Sequence, residues 1–409
     1  MNSPQPEAPT ALVIDADTAT KATFASVQNA VPIIRRLAVR NDGDRAFNNL
    51  KLSMLPQPGF CRPKEWTIDS LGPGQAVEVD DRRITLDFAV LDRLNEAEHG
   101  QLTFRLHHNG EPLAERVVPI ELLARDEWGG SDEMAQILAA FVAPNHPAIG
   151  PVLKEASRLL ERAGHGGALN GYESRDPRRA YMIAASIWSA VAGLGLSYAL
   201  PPRSFERHGQ KIRDPGCVIG AGLATCLDTT LLLAAAFEAV RLNPVVVFTE
   251  GHAFLGVWLV DKTFPLTLEH DVTEVRKAVQ ANELVVLETT LLTGRPPAGF
   301  AQAKANAASQ LAEDAERAFR MAVDVTRARA AGIRPISTPE PAEQYAAHQD
   351  DAVFPPPLPG PPGLDEIPAE YAEELSATPR SRLDRWQKKL LDLSLRTRLL
   401  HFSDTKQTL

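Results

Sequence analysis

One cysteine and one histidine near the middle of the chain have the residue types and spacing of a nucleophile and its base. Cys226 directly precedes an apolar helical stretch, and His252 opens a strand-like stretch that follows a short connecting strand. Covalent cleavage of an amide needs a thiolate, a base that manages its proton and a third group that orients the base. Neither residue alone indicates catalysis, because a buried cysteine is usually a small core residue and a lone histidine is usually structural. Together they predict a cysteine hydrolase site.

The residues around Cys226 predict the beginning of a helix. Thr225 and Asp228 have the T-x-x-D spacing of a capping box, which places Cys226 at the first helical position. There the helix dipole and the free backbone N–H groups favour an anion, so this thiol, unlike the other two, should be reactive. The N–H of Cys226 would also serve as an oxyanion donor. Gln210, in the loop upstream, is a candidate second donor, although an ordinary loop role explains it equally well.

The third member of the site is sought on the strands that follow His252. Glu288 lies near the end of the next strand, where a neighbouring strand brings a carboxylate onto the imidazole. Asp261 lies an odd number of residues from His252, so in a regular strand it points to the opposite face. Asp271, in the irregular stretch between the two strands, is the reserve candidate.

The elements that must position these residues follow from the hydrophobic pattern. The stretch LDTTLLLAAAFEAV is apolar on nearly every face and predicts a buried helix, and PVVVF, HAFLGVWLV and ELVVLETTLL predict strands. A long Pro- and Gly-punctuated loop before Cys226 is typical of a binding loop. Helices are expected at 134–142, 146–163 and 177–196, and an unusually long Ala-rich helix is expected at 301–331.

The first part of the chain has a different pattern. Short alternating segments separated by NDG, GPG and NG turns predict antiparallel strands and an immunoglobulin-like β-sandwich over residues 8–126. His107 and His108 precede the turn at Asn109 and Gly110, and we interpret them as hairpin residues rather than metal ligands. This part indicates an adaptor or spacing module without chemistry of its own.

Composition excludes several classes of protein. A formal net charge of −9 disfavours extensive contact with nucleic acid, which requires clustered Lys and Arg. Three cysteines without a C-x-x-C spacing disfavour a disulfide framework and a structural zinc site, and no metal or cofactor is expected. The chain starts without a signal-peptide pattern and has no apolar run of membrane-spanning length. We therefore expect a cytoplasmic protein that does not contact membranes.

The last part of the chain changes composition twice. Residues 335–378 are rich in Pro, Ala and Glu and predict an extended, semi-rigid linker. Residues 379–409 predict a helix with an apolar stripe from Leu383 to Leu400, surrounded by Arg and Lys. Because that stripe must be buried against something, we expect the chain to be the N-terminal part of a longer protein.

The motifs around Cys226 and His252 resemble those of the transglutaminase-like cysteine hydrolase superfamily. GLATCLDTTLLLAAAFEAVRLNPVVVF is similar to its cysteine helix and strand, GHAFLGVWL to its histidine strand, and LETT to its Asp-Pro-Thr. The resemblance covers about residues 180–293 and implies an α+β, papain-like domain over 131–334. It implies Cys226 as nucleophile, His252 as general base and acid, and Glu288 as orienter. Glu replaces the family's Asp without a following Pro, and an insertion precedes it.

A second resemblance concerns the end of the chain. RLDRWQKKLLDLSLRTRLLHF is similar to the start of an uncharacterised domain that precedes the superfamily-one helicase core in large bacterial proteins associated with defence against phage. It implies a covalently attached C-terminal helicase region. Helicase activity itself is not expected here, since the chain has no Gly-x-x-x-x-Gly-Lys-Ser/Thr phosphate loop.

These observations predict a cysteine protease or peptidase that acts on a protein or peptide. The same residues also permit amide transfer instead of hydrolysis. The alternative is a catalytically inactive transglutaminase-like module that binds proteins or inhibits the attached helicase region.

Overall fold

A computed structural model of the protein describes residues 12–337 and 353–376 and shows a mixed α/β architecture with several sheets. The helix expected at 379–409 and part of the linker expected at 335–378 lie outside these residues. The strands are β1 (Leu12–Thr18), β2 (Lys21–Ala22), β3 (Ile34–Asn41), β4 (Phe47–Gln57), β5 (Lys64–Leu71), β6 (Ala76–Glu78), β7 (Glu98–His108), β8 (Glu111–Leu122), β9 (Glu127–Trp128), β10 (Ser197–Tyr198), β11 (Gln210–Lys211), β12 (Leu223–Ala224), β13 (Pro244–Thr249), β14 (His252–Trp258), β15 (Leu268–Glu269), β16 (Leu284–Leu287) and β17 (Phe319–Asp324).

The α-helices are α1 (Phe24–Gln28), α2 (Phe88–Asp92), α3 (Ser131–Met134), α4 (Ile149–Arg162), α5 (Pro177–Ala192), α6 (Phe205–His208), α7 (Pro215–Ala221), α8 (Cys226–Ala239), α9 (Val272–Gln280), α10 (Phe300–Ser309), α11 (Val325–Ala330) and α12 (Ala369–Ser376). Short 3₁₀ helices occupy Ala135–Phe141, Thr289–Thr293, Glu313–Ala318 and Leu364–Glu366. None of the helices described has both the length and the apolar character needed to cross a membrane.

The first part of the chain forms two sheets that share one apolar core. One has the order β1-β3-β6 and the other the order β2-β8-β7-β4-β5, with antiparallel pairing except between β2 and β8. Alternate residues point inward, as Leu50, Leu52 and Met54 of β4 show, since none of them is exposed. Asn109 and Gly110, both with positive φ, make the tight turn between β7 and β8 that the sequence indicated.

The second part of the chain is organised around an antiparallel sheet of order β15-β17-β13-β14-β16. Its central hairpin, β13 and β14, is covered on both faces, which explains the unbroken apolar sequence PVVVF. Val246 and Phe248 face the core that contains α8, whereas Val245 and Val247 face the core that contains α9. The helix α8 is buried nearly all round, as its sequence predicted.

The prediction of one long helix at 301–331 is wrong. The structure has α10 only to Ser309, then a 3₁₀ turn, the strand β17 and the short helix α11. β17 pairs with β13 between Val245–Asp324 and Thr249–Phe319, so tertiary pairing overrides the helical propensity of the Ala-rich sequence. The helix expected at 134–142 is likewise replaced mainly by the 3₁₀ helix Ala135–Phe141.

The described residues of the Pro-rich region lie along the second part of the chain. A Cβ built on Gly193 would lie 3.3 Å from Pro355, and Asn282 donates a hydrogen bond of 3.0 Å to the Asp365 carbonyl. Ile367 is buried. Between Pro355 and Ile367 the region therefore lies against the C-terminal ends of α5 and α9, and Glu366 pairs with Lys304 of α10 at 3.9 Å.

Candidate active site

Cys226 is the first residue of α8, and its position is set by the cap that precedes it. The Asp228 N–H donates to Thr225 Oγ1 at 3.2 Å, and the Thr225 N–H donates to Asp228 Oδ2 at 2.9 Å. Arg213 Nη1 lies 2.9 Å from the same carboxylate oxygen, so the buried Asp228 is paired. The capping box predicted from the sequence is confirmed. Cys226 has no exposed surface.

His252 and Glu288 meet at one end of the central sheet. β14 and β16 are antiparallel, with Leu255 opposite Leu287, so continuing this register by one residue places Glu288 opposite Phe254. Glu288 is then a diagonal neighbour of His252 on the same face. The two side chains are joined by a bond of 2.8 Å between His252 Nε2 and Glu288 Oε2.

All the acceptor positions of the Glu288 carboxylate are used. Oε1 accepts the N–H of Thr290 at 3.0 Å and its hydroxyl at 2.6 Å. Oε2 accepts from His252 and from the side-chain amide of Gln310. Burial raises the pKa of Glu288, but the hydrogen bonds and charge of His252 and the bonds from Thr290 outweigh burial, so its pKa lies below the usual range. The carboxylate is therefore ionised at neutral pH.

The imidazole of His252 links this carboxylate to the thiol. Cys226 is near enough to the same ring to raise its pKa. Because Nε2 is occupied by Glu288, Nδ1 is the nitrogen left to face the sulfur. Burial lowers the pKa of His252, yet its hydrogen bonds and charge interactions with Cys226 and Glu288 more than compensate and raise the pKa to about 9.

Tyr198 is a member of the site that the sequence did not reveal. It lies on β10, which pairs with β12 so that Tyr198 is opposite Ala224, two residues before Cys226. Burial, followed by the charge of Cys226 and its thiol as a hydrogen-bonding group, raises the pKa of Tyr198 to about 12, so the hydroxyl lies near Cys226. The side chain is nevertheless 40% exposed. A two-residue strand has no periodicity, so only the Pro- and Gly-punctuated loop signalled this region.

Three buried hydroxyl groups lie beneath the site. Thr289 Oγ1 bonds Thr229 Oγ1 at 3.0 Å and Thr230 Oγ1 at 2.9 Å, and the latter two donate to the Cys226 carbonyl at 2.9 and 2.7 Å. Thr289 follows Glu288 directly, so this hydroxyl cluster joins the element that carries the nucleophile to the one that carries the carboxylate.

Gln210 and Asp271 occupy different places relative to the site. Gln210 is buried beside the cap, where its Nε2 donates to Thr225 Oγ1 at 3.1 Å. Asp271 is exposed and caps α9, with its carboxylate accepting both the N–H and the hydroxyl of Thr273. The structure thus brings Gln210 to the residue before Cys226 but does not bring Asp271 to His252.

The other two cysteines have different surroundings. Burial raises the pKa of Cys61 to about 12. Cys217 is exposed, and burial of part of its surface together with Asp214 raises its pKa. Across residues 12–337 and 353–376, no group of three or more His, Cys, Asp or Glu side chains is arranged to hold a metal ion.

Comparison of the chain with models of protein families, with curated proteins and with solved structures found no significant match. Similarity therefore identifies no family for this chain, and only the geometry of the site bears on its chemistry.

Proposed function

We propose that this protein is a thiol hydrolase, a cysteine protease or peptidase that uses Cys226, His252 and Glu288. The observation that carries the proposal is that His252 Nε2 lies 2.8 Å from Glu288 Oε2, while Cys226 at the start of α8 is near enough to the same ring to raise its pKa. A nucleophile, a base and an orienting carboxylate in series are the requirement for covalent amide hydrolysis.

The chemistry follows from the charges of the three groups. The Cys226 thiolate attacks the substrate carbonyl, and the N–H of Cys226, which has no intrahelical partner at the first position of α8, stabilises the oxyanion. The protonated His252 then gives its proton to the leaving amine as the C–N bond breaks, which leaves an acyl-enzyme. His252 next takes a proton from water, whose attack on the thioester releases the acid and restores the thiolate.

The proposal includes a finer description of the two parts of the chain. It assigns an immunoglobulin-like sandwich to the first part and a transglutaminase-like domain to the second. Support comes from the order of a cysteine at a helix N-terminus, a histidine on the second strand after it and a carboxylate at the end of the adjacent strand. Attachment to a helicase region belongs to the same proposal and rests on residues 379–409.

The test is labelling with a peptide-based electrophile that reacts with active-site thiols. We expect Cys226→Ala and His252→Ala to abolish labelling, and Cys217→Ala, which removes an exposed cysteine, to leave it intact. Circular dichroism would verify that each variant folds. Labelling of Cys226 that is as fast in His252→Ala as in the unmodified protein would contradict the proposal.

One observation favours a second candidate, a catalytically inactive module that binds proteins or inhibits the attached region. Cys226 has no exposed surface, and the Tyr198 hydroxyl lies near it. A hydrolase must therefore open the surroundings of Cys226 before a substrate reaches the sulfur. If Cys226→Ala retained every effect of the protein in cells, the inactive module would be the better description.

A further inference from the structure

Gln310 contacts the Glu288 carboxylate at the oxygen that also receives His252. We propose that Gln310 is a positioning residue of the site, whose amide holds Glu288 so that Oε2 faces the imidazole. This inference rests on the proposed function. It adds a fourth side chain to a site that would otherwise consist of nucleophile, base and carboxylate.

The helix α10 contacts Glu288 in two places. The Glu288 N–H donates to the Ala303 carbonyl at 3.1 Å, and Gln310, directly after the helix, donates from its side chain. These residues are seven apart, two helical turns, and lie on one face together with the buried Ala307. The helix therefore fixes both the backbone and the carboxylate of Glu288.

An amide suits this position better than a charged side chain. A neutral donor stabilises the carboxylate without supplying a counter-charge that would compete with the imidazolium. The titratable group that acts on the pKa of this carboxylate is His252 of β14, and the charge of Glu288 in turn raises the pKa of Tyr198 of β10. A second carboxyl group in place of the amide would raise the pKa of the Glu288 carboxyl group, since adjacent carboxyl groups share a proton.

The experiment measures the rate at which iodoacetamide alkylates Cys226 as a function of pH, in a Cys217→Ala background that leaves Cys61 buried. The variants are Gln310→Leu, which removes the donor, and Gln310→Glu, which adds a carboxyl group. Gln302→Leu and Gln302→Glu are the matched controls, because Gln302 is an exposed glutamine of the same helix. His252→Ala gives the rate without the base.

We expect Gln310→Leu to slow alkylation at neutral pH on the order of tenfold, because a misplaced carboxylate no longer stabilises the imidazolium–thiolate pair. Gln310→Glu should move the acid limb of the profile upward by about one pH unit or more, because the paired carboxyl groups retain a proton. The Gln302 variants should follow the unmodified profile. A purely structural role for Gln310 would lower the melting temperature without moving the pH profile.

The outcomes separate the two proposals. If the Gln310 and Gln302 variants have superimposable profiles while His252→Ala slows alkylation, the role of Gln310 is refuted and the proposed function stands. If His252→Ala alkylates as fast as the unmodified protein, the proposed function fails, and with it the role of Gln310. Should Gln310→Leu not fold, the comparison of Gln310→Glu with Gln302→Glu decides the question.

Discussion

Replacement of Glu288 by Gln removes one negative charge from the site and preserves its size. His252 has its pKa raised from 6.5 to about 9, a shift to which Cys226 and Glu288 both contribute. One pKa unit corresponds to about 1.4 kcal/mol, so the imidazolium is favoured by roughly 3 kcal/mol net, after the two neighbours have offset the opposing effect of burial. We expect Glu288→Gln to lower the His252 pKa by on the order of one to two units.

The assay is an NMR titration of the imidazole, assigned by comparison with His252→Asn. Glu250→Gln is the matched control, because Glu250 lies in the turn before His252 and its side chain is 69% exposed beside Arg320. The control should leave the His252 pKa near 9. A His252 pKa that is unchanged in Glu288→Gln, or lowered equally in both variants, would refute the reasoning.

The same shift predicts how stability depends on pH. The pKa of His252 is higher in the folded protein than in the unfolded chain, so protonation of His252 stabilises the folded state. This contribution to the free energy of unfolding is complete below about pH 6.5 and is lost as pH rises through about 9. Urea unfolding of the unmodified protein should therefore show a decrease in the free energy of unfolding across this range. In Glu288→Gln the loss should be smaller and should occur at lower pH.

Three further predictions concern the surroundings of Cys226. Tyr198→Ala should accelerate alkylation of Cys226 by iodoacetamide, because it removes a side chain that lies near the buried sulfur. Leu200→Ala, which removes an exposed side chain of the same loop, should leave the rate unchanged. Thr225→Ala should lower the free energy of unfolding by about 1 kcal/mol in urea, since it removes the cap of α8; an unchanged midpoint would contradict this role. Thr289→Val should lower the free energy of unfolding by about 1–3 kcal/mol, because the buried hydroxyl groups of Thr229 and Thr230 each lose a hydrogen-bond partner. Thr289→Ser keeps the hydroxyl and should restore most of the loss, so equal destabilisation by both variants would contradict a role of the hydroxyl.

The sequence predicted those elements whose formation depends on residues close together in the chain. The capping box of Thr225 and Asp228 located the start of α8 to the residue, because both partners of each hydrogen bond lie within one turn. The apolar runs located β13 and β14, and the position of Glu288 at the end of the next strand placed it beside His252 although 36 residues separate them, while strand parity argued against Asp261. In these cases, periodicity and capping chemistry depend only on neighbours in the chain.

Tertiary structure decided what depends on residues far apart in sequence. The strand β17 exists because β13 offers an edge to pair with, although its Ala-rich flanks favour a helix. The packing of α10 against β16 brings Gln310 to the Glu288 carboxylate, and no local pattern marks that glutamine. Tyr198 reaches Cys226 through a two-residue ladder with β12, too short to have a period. The sequence by itself thus determined the helix and strands that carry Cys226, His252 and Glu288, and only the fold determined which side chains surround them.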